Sequence, residues 1–140
     1  MSDRFFFDSN ILIYLYSTDQ PVKKNLAENL VIIHQGKIVI STQVINEFIN
    51  VMSKKKKVEH QIITSAIIEL ISAFAITYIT TDTIQSALSI TDKFKYSYFD
   101  SLIIASALES DCKILFTEDM HNKHIINRSL TVKNPSQQEG

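Results

Sequence analysis

Four carboxylates stand out by their position in the chain. Asp8 directly follows the apolar run Phe5-Phe6-Phe7, and Asp119 ends the triplet Thr117-Glu118-Asp119 just beyond a second apolar run, Lys113-Ile114-Leu115-Phe116. Asp100 has Ile103, Ile104 and Ala107 as its helical neighbours, so its side chain lies along an apolar face. Glu47 sits at the edge of a stripe formed by Ile45, Phe48, Ile49 and Met52, with Val44 and Val51 three before and four after it. A carboxylate held among side chains that seek burial must be compensated, or it protonates. Four converging carboxylates would also repel one another, and a hard divalent cation removes that repulsion. Mg²⁺ and Mn²⁺ favour oxygen ligands, and such a site suits phosphodiester hydrolysis by polarising the phosphate and activating water. The spacing leaves open whether one ion or two is held.

Each acid also has a plainer reading. Asp8 caps the helix that follows, Asp100 is a first-turn acid favoured by the helix dipole, Glu47 is a solvated helix residue, and Asp119 belongs to a turn. None of these explains why all four fall at matching ends of the fold.

The elements that must carry them follow from apolar patterning. Short strands are predicted at Phe5–Phe7, 37–40, 76–79 and 113–116, with one more at 130–132. Helices are predicted at 10–16, 21–35, 43–54, 58–74, from the Thr80–Thr83 cap cluster to 95, and at 98–110. Gly36 ends the second helix in a left-handed cap, Ser41 and Thr42 open the third, and Ser97 opens the last. Strands alternating with helices predict an α/β domain with a mostly parallel sheet of four to five strands. Ligands in such sheets bind beyond the carboxyl ends of the strands, where Asp8 and Asp119 fall. The domain is expected to span residues 1–135, with 136–140 frayed.

Composition narrows the function classes. With 45% hydrophobic and 21% charged residues in 140, the chain can build a core and is not disordered. Two glycines and two prolines are too few for a turn-rich sandwich or propeller. Lys+Arg 14 against Asp+Glu 15 gives no global basic excess, so any attraction for nucleic acid must be local. The single cysteine, Cys112, forms no internal disulfide, consistent with a reducing compartment. The N-terminal stretch does not read as a signal peptide and no apolar run reaches membrane length, so a soluble, cytoplasmic protein is expected.

Four segments carry a family resemblance: Asp8-Ser9-Asn10 after an apolar strand; Ser41-Thr42 leading to Asn46-Glu47-Phe48; Tyr98-Phe99-Asp100-Ser101-Leu102-Ile103-Ile104-Ala105-Ser106-Ala107; and Leu115-Phe116-Thr117-Glu118-Asp119-Met120. In this order and spacing they resemble the PIN domain, and look most like the VapC-type toxins of bacterial toxin–antitoxin pairs. The resemblance covers Arg4 to Pro135. It implies a three-layer α/β/α sandwich and a metal-dependent endoribonuclease, with Mg²⁺ or Mn²⁺ held by Asp8, Glu47, Asp100 and Asp119. RNA would be cut to a 3′-hydroxyl and a 5′-phosphate. It implies that Ser9, Asn10 and Thr117 support the acids through hydrogen bonds, that the chain forms a homodimer, and that a cognate antitoxin silences it by entering the acidic cleft. Two departures stand out. Similar proteins often carry a glycine a few residues past Thr-x-Asp, where this chain has Met120-His121-Asn122-Lys123-His124, with Asn122 able to take a left-handed turn. The stretch after Pro135 also lacks an aromatic residue.

Other features stay open or are set aside. Lys54, Lys55, Lys56 and Lys57 could grip RNA phosphates, or be solvated charge favouring a helix C-terminus. Glu118 could donate an extra ligand. His121 and His124 lack a soft co-ligand, His34 and His60 read as ordinary surface residues, and Cys112 as a small buried filler. A rival reading is a non-catalytic PIN-like module binding RNA or protein; its mark would be loss of an acid, and none is lost. A haloacid-dehalogenase-like phosphatase would want an acid at position 10, which is Asn.

Overall fold

An unbroken apolar run needs cover on both faces, and β1 (Phe5–Phe7) receives it: all three phenylalanines are buried. In the computed structural model, which describes residues 3–137, β1 lies inside a six-stranded sheet. The other strands are β2 (Ile38–Ser41), β3 (Ala75–Thr77), β4 (Ile114–Phe116), β5 (Ile125–Ile126) and β6 (Leu130–Lys133). Their order is β3-β2-β1-β4-β6-β5, parallel throughout except for the β5–β6 hairpin. The helices are α1 (Ser9–Leu15), α2 (Pro21–Ile33), α3 (Thr42–Asn50), α4 (His60–Ala73), α5 (Thr81–Phe94) and α6 (Tyr98–Glu109).

The strand order explains the layering. From β1 to β2 to β3 the chain steps one way across the sheet; from β3 to β4 it returns past β1. Right-handed crossovers therefore put α1 to α4 on one face and α5 and α6 on the other, making three layers. The direction of winding changes between β1 and β4. In sheets of this kind a ligand site is expected beyond the carboxyl ends of the strands at that switch point.

Local chemistry sets most boundaries as the sequence suggests. The Ser41 hydroxyl accepts the Val44 N–H at 3.2 Å, Ser97 accepts that of Asp100 at 3.1 Å, and Thr80 and Thr83 form a reciprocal capping box. Gly36 takes φ +81 after α2. Four features differ from the sequence reading. The sheet has a sixth strand, β5, whose two residues are too few to show a period. The helix expected to run to 54 is α-helical only to Asn50 and continues as a wider π-helical turn, Val51–Lys55, closed by the Lys56 N–H on the Val51 carbonyl at 3.0 Å. The last helix, α6, is buried on all sides from Ser101 to Ala107, so Asp100 is not set apart by facing an apolar stripe; it is half-buried at the solvent end of a buried helix. His34 is not an ordinary surface residue: its ring lies 3.9 Å from that of Phe5 and 5.5 Å from that of Phe116, and burial, aided by Lys37 and Lys133, lowers its pKa.

Among the described residues no helix is long and apolar enough to cross a membrane. Of the tail expected to fray, Ser136 and Gln137 are hydrogen-bonded to Asn134, and 138–140 lie outside the described residues.

Candidate active site

Asp8 is fixed by the sheet itself. Its N–H donates to the Phe116 carbonyl at 3.0 Å, extending the β1–β4 ladder one residue past β1. One carboxylate oxygen accepts the Ser9 N–H at 2.7 Å, capping α1, and the other accepts the Thr117 hydroxyl at 2.7 Å. Asp8 is therefore both a helix cap and part of the expected ligand site. It is only 3% exposed. Burial pushes its pKa up to about 7, against the hydrogen bonds from Thr117 and Ser9, and the charges of Glu47 and Asp119 push the same way as burial.

The other three acids arrive from separate elements. Thr117, directly after β4, accepts the Asp119 N–H at 3.1 Å with the hydroxyl that donates to Asp8. The Asp119 carboxylate is exposed and accepts the Asn10 side-chain amide at 3.1 Å. Glu47 projects from the second turn of α3, half-buried, with the Gln43 amide at 3.4 Å. That amide also donates to the Phe99 carbonyl at 3.1 Å, tying α3 to the start of α6, where Asp100 sits. Burial raises the pKa of Glu47, countered by Gln43 and Ser9 and reinforced by Asp100 and Asp119. It raises that of Asp100 too, countered by Ser97 and reinforced by Asp119. The three ion pairs among the described residues involve none of these four acids.

A family model described as PIN domain matches residues 5–125. The chain belongs to the PIN domain family. Solved structures share the PIN fold with it. One is a toxin–antitoxin complex from Klebsiella pneumoniae, at 23% identity, covering 98% of this chain and 100% of that one, with TM-score 0.70. Another is Mycobacterium tuberculosis VapC20, described as a sarcin–ricin loop cleaving toxin, at 17% identity over 82% and 91% of the two chains, with TM-score 0.69. A third is VapBC2 from Rickettsia felis bound to a promoter DNA fragment, at 18% identity over 93% and 97%, with TM-score 0.60. No curated protein matches the sequence.

As placed, no three His, Cys, Asp or Glu side chains among the described residues of this PIN domain stand close enough together to grip an ion. The donor set nevertheless suits a hard divalent cation. It is all oxygen, its charges are mutually uncompensated, and it includes a buried side-chain oxygen, Asn10 Oδ1, with no hydrogen-bond partner. Glu47 and Asp100 are half-buried and Asp119 is exposed, so all three side chains have room to turn toward an ion.

The remaining sequence candidates divide. Ser9, Asn10 and Thr117 all touch the acids. Glu118 instead turns toward Tyr14, Lys23 and Ser136, with Tyr14 Oη at 2.5 Å and Lys23 Nζ at 3.1 Å. Burial opposes its charge, yet these three donors hold its pKa below the usual value. The four lysines are exposed at the far end of the α3 extension, with Lys56 4.0 Å from Asp19. Lys123, not Asn122, takes the left-handed position, at φ +69. Asn122 accepts the Asn134 N–H and donates to the Gln137 side chain, both at 2.8 Å. His124 Nδ1 is 2.7 Å from the Tyr96 hydroxyl, and burial pushes the Cys112 thiol up to about 12. Sequence reasoning missed Gln43, although its spacing of four before Glu47 on one helix was a usable signal. Tyr14, Lys23 and Ser136 meet Glu118 only through the fold.

Proposed function

We propose that this PIN domain protein is a divalent-metal-dependent endoribonuclease, the VapC-type toxin of a toxin–antitoxin pair. The reading is supported by four acids from separate segments, Asp8, Glu47, Asp100 and Asp119, lying near enough to raise one another's pKa around the β1–β4 switch point. The VapC20 toxin that shares the fold is described as a sarcin–ricin loop cleaving toxin, and another structure with the fold is a toxin–antitoxin complex; both descriptions support the same assignment here.

In this reading Asp8, Glu47, Asp100 and Asp119 would hold Mg²⁺ or Mn²⁺, which when bound would supply polarisation of a phosphate and activation of water. Asp8, locked by Ser9 and Thr117, would be the most firmly held ligand of the set. Asn10 orients Asp119, and Gln43 steadies Glu47 while pinning the start of α6. The glutamate beside Asp119, Glu118, anchors the loop rather than joining the ligand set. The partners are RNA, an antitoxin and a second copy of the chain. Exposed Val22, Ile32 and Ile33 on α2 and Ile62, Ile68 and Ile71 on α4 are apolar surface of the kind that protein partners cover. A reducing cytoplasm suits the unpaired Cys112 and an RNA substrate.

The test is incubation of the purified protein, free of any partner, with cellular RNA and Mg²⁺ or Mn²⁺, beside EDTA and Asp8→Asn controls. Discrete cleavage lost in both controls is the expected result. Identical behaviour of wild type and Asp8→Asn in both metals would overturn the nuclease reading and favour a binding module.

A further inference from the structure

A recess of about 390 Å³ has one of the four acids, Glu47, in its wall and is otherwise lined largely by residues outside the proposed ligand set. Its size is within the range of small-ligand pockets, roughly 300–1,000 Å³. Glu47 in its wall, and Phe99 directly before Asp100, set the recess beside two of the four acids. Besides Thr42, the rest of its lining is of two kinds. Gln43, Asn46 and Asn50 recur at helical spacing along one face of α3 and present three carboxamides. Opposite them, Ile79 and Phe99 supply apolar surface.

Phe99 is 63% exposed, one residue before Asp100. Its backbone is held, because its carbonyl accepts the Gln43 amide at 3.1 Å. A large aromatic ring on a fixed backbone beside the acids loses little freedom when something stacks on it. Gln43 adds a second, independent sign. The residue is 9% exposed, and its side-chain oxygen is one of two buried side-chain polar atoms without a hydrogen-bond partner among the described residues. Buried polar atoms are normally paired, so this orphan leaves the Gln43 end of the recess wall incompletely bonded.

We propose that this recess is a nucleobase subsite, in which Phe99 stacks one unpaired base of the RNA while the carboxamides of Gln43, Asn46 and Asn50 read its edge. It rests on the nuclease reading and adds to it a position where sequence is sensed. An aromatic face accepts any base, whereas carboxamides supply both donors and acceptors to an exposed base edge. The subsite thus orients the strand through Phe99 and discriminates through the amides.

The experiment uses short single-stranded RNAs carrying 2-aminopurine at successive positions, bound to the full chain as Asp8→Asn, which leaves the RNA uncut. At one or two positions the base fluorescence should be quenched. Phe99→Ala should remove that quenching and weaken binding about 5- to 150-fold, the range of one lost base stack. Phe99→Tyr should restore both. An abasic nucleotide at the quenched position should weaken binding to the Phe99 protein by the same factor and leave Phe99→Ala unaffected. Asn46→Ala should alter which base is preferred at that position without altering the abasic affinity. The subsite is overturned if Phe99→Ala binds as tightly as its parent, if it loses as much affinity for abasic as for intact RNA, if no RNA binds, or if its only effect is to change the sedimentation of the protein, which would make the ring a contact between two copies. Because this readout needs no cleavage, its failure is distinct from failure of the nuclease reading, which shows as wild type leaving RNA uncut.

Discussion

Replacing Asp8 with Asn should stabilise the metal-free protein while abolishing its activity. Asp8 is buried with its pKa raised from 3.8 to about 7, so the folded state binds its proton more tightly than the unfolded chain does. Between these two values the native state carries more protons, and stability falls as pH rises; above about 7 the loss is complete. A shift of about three pH units at 1.36 kcal/mol each gives about 4 kcal/mol. Asn removes that penalty but changes the Thr117 contact, since a hydroxyl that donated to a carboxylate must now accept from an amide; about 1–2 kcal/mol is lost there. The net expectation is a gain of about 2–3 kcal/mol, or roughly 6–10 °C in Tm for a domain of this size. The assay is thermal unfolding of wild type and Asp8→Asn in EDTA at about pH 8 and about pH 4.5. By the lower pH most of the penalty is gone, and the two curves should nearly coincide. A variant no more stable than wild type at pH 8, or a difference of equal size at both pH values, would refute the reasoning.

Three further outcomes follow from the same geometry. Mn²⁺ added at about 100 times its Kd should raise wild-type stability by about 2.7 kcal/mol and leave Asp8→Asn nearly unmoved, measured by the same melts. Asn10→Ala, which removes the amide on Asp119, should lower cleavage and Mn²⁺ affinity about 10- to 100-fold with the fold intact by circular dichroism. Phe7→Ala should cost about 3–5 kcal/mol in denaturant melts, because Phe7 is fully buried and its ring lies 5.9 Å from Phe74 and 5.8 Å from Phe116.

What the sequence made legible was governed by short-range rules. Phe5–Phe7 and the apolar run to Phe116 read as buried strands because nothing interrupts them, and Asp8 and Asp119 stood out because each follows such a run. Ser41, Ser97 and Thr80 read as caps because the bond each makes spans only three residues. The missed features depend on distance in space. The Tyr14–Lys23–Glu118–Ser136 cluster joins positions up to 122 residues apart, and no periodicity announces it. The π-helical turn shifts the register within a run of lysines whose side chains are all solvated. The apolar face expected beside Asp100 does not stand out, because α6 is buried all round from Ser101 to Ala107 and has no polar face to contrast with.

The central claim is that Asp8, Glu47, Asp100 and Asp119 together hold the divalent ion that cuts RNA. The most direct measurement is Mn²⁺ binding, followed by the electron paramagnetic resonance of free Mn²⁺, to the wild type and to Asp8→Asn, Asp119→Asn and Glu118→Gln at about pH 7.5. The account predicts binding by wild type, its loss in Asp8→Asn and Asp119→Asn, and its retention in Glu118→Gln. Undiminished binding by Asp8→Asn, or none by a folded wild type, would contradict it.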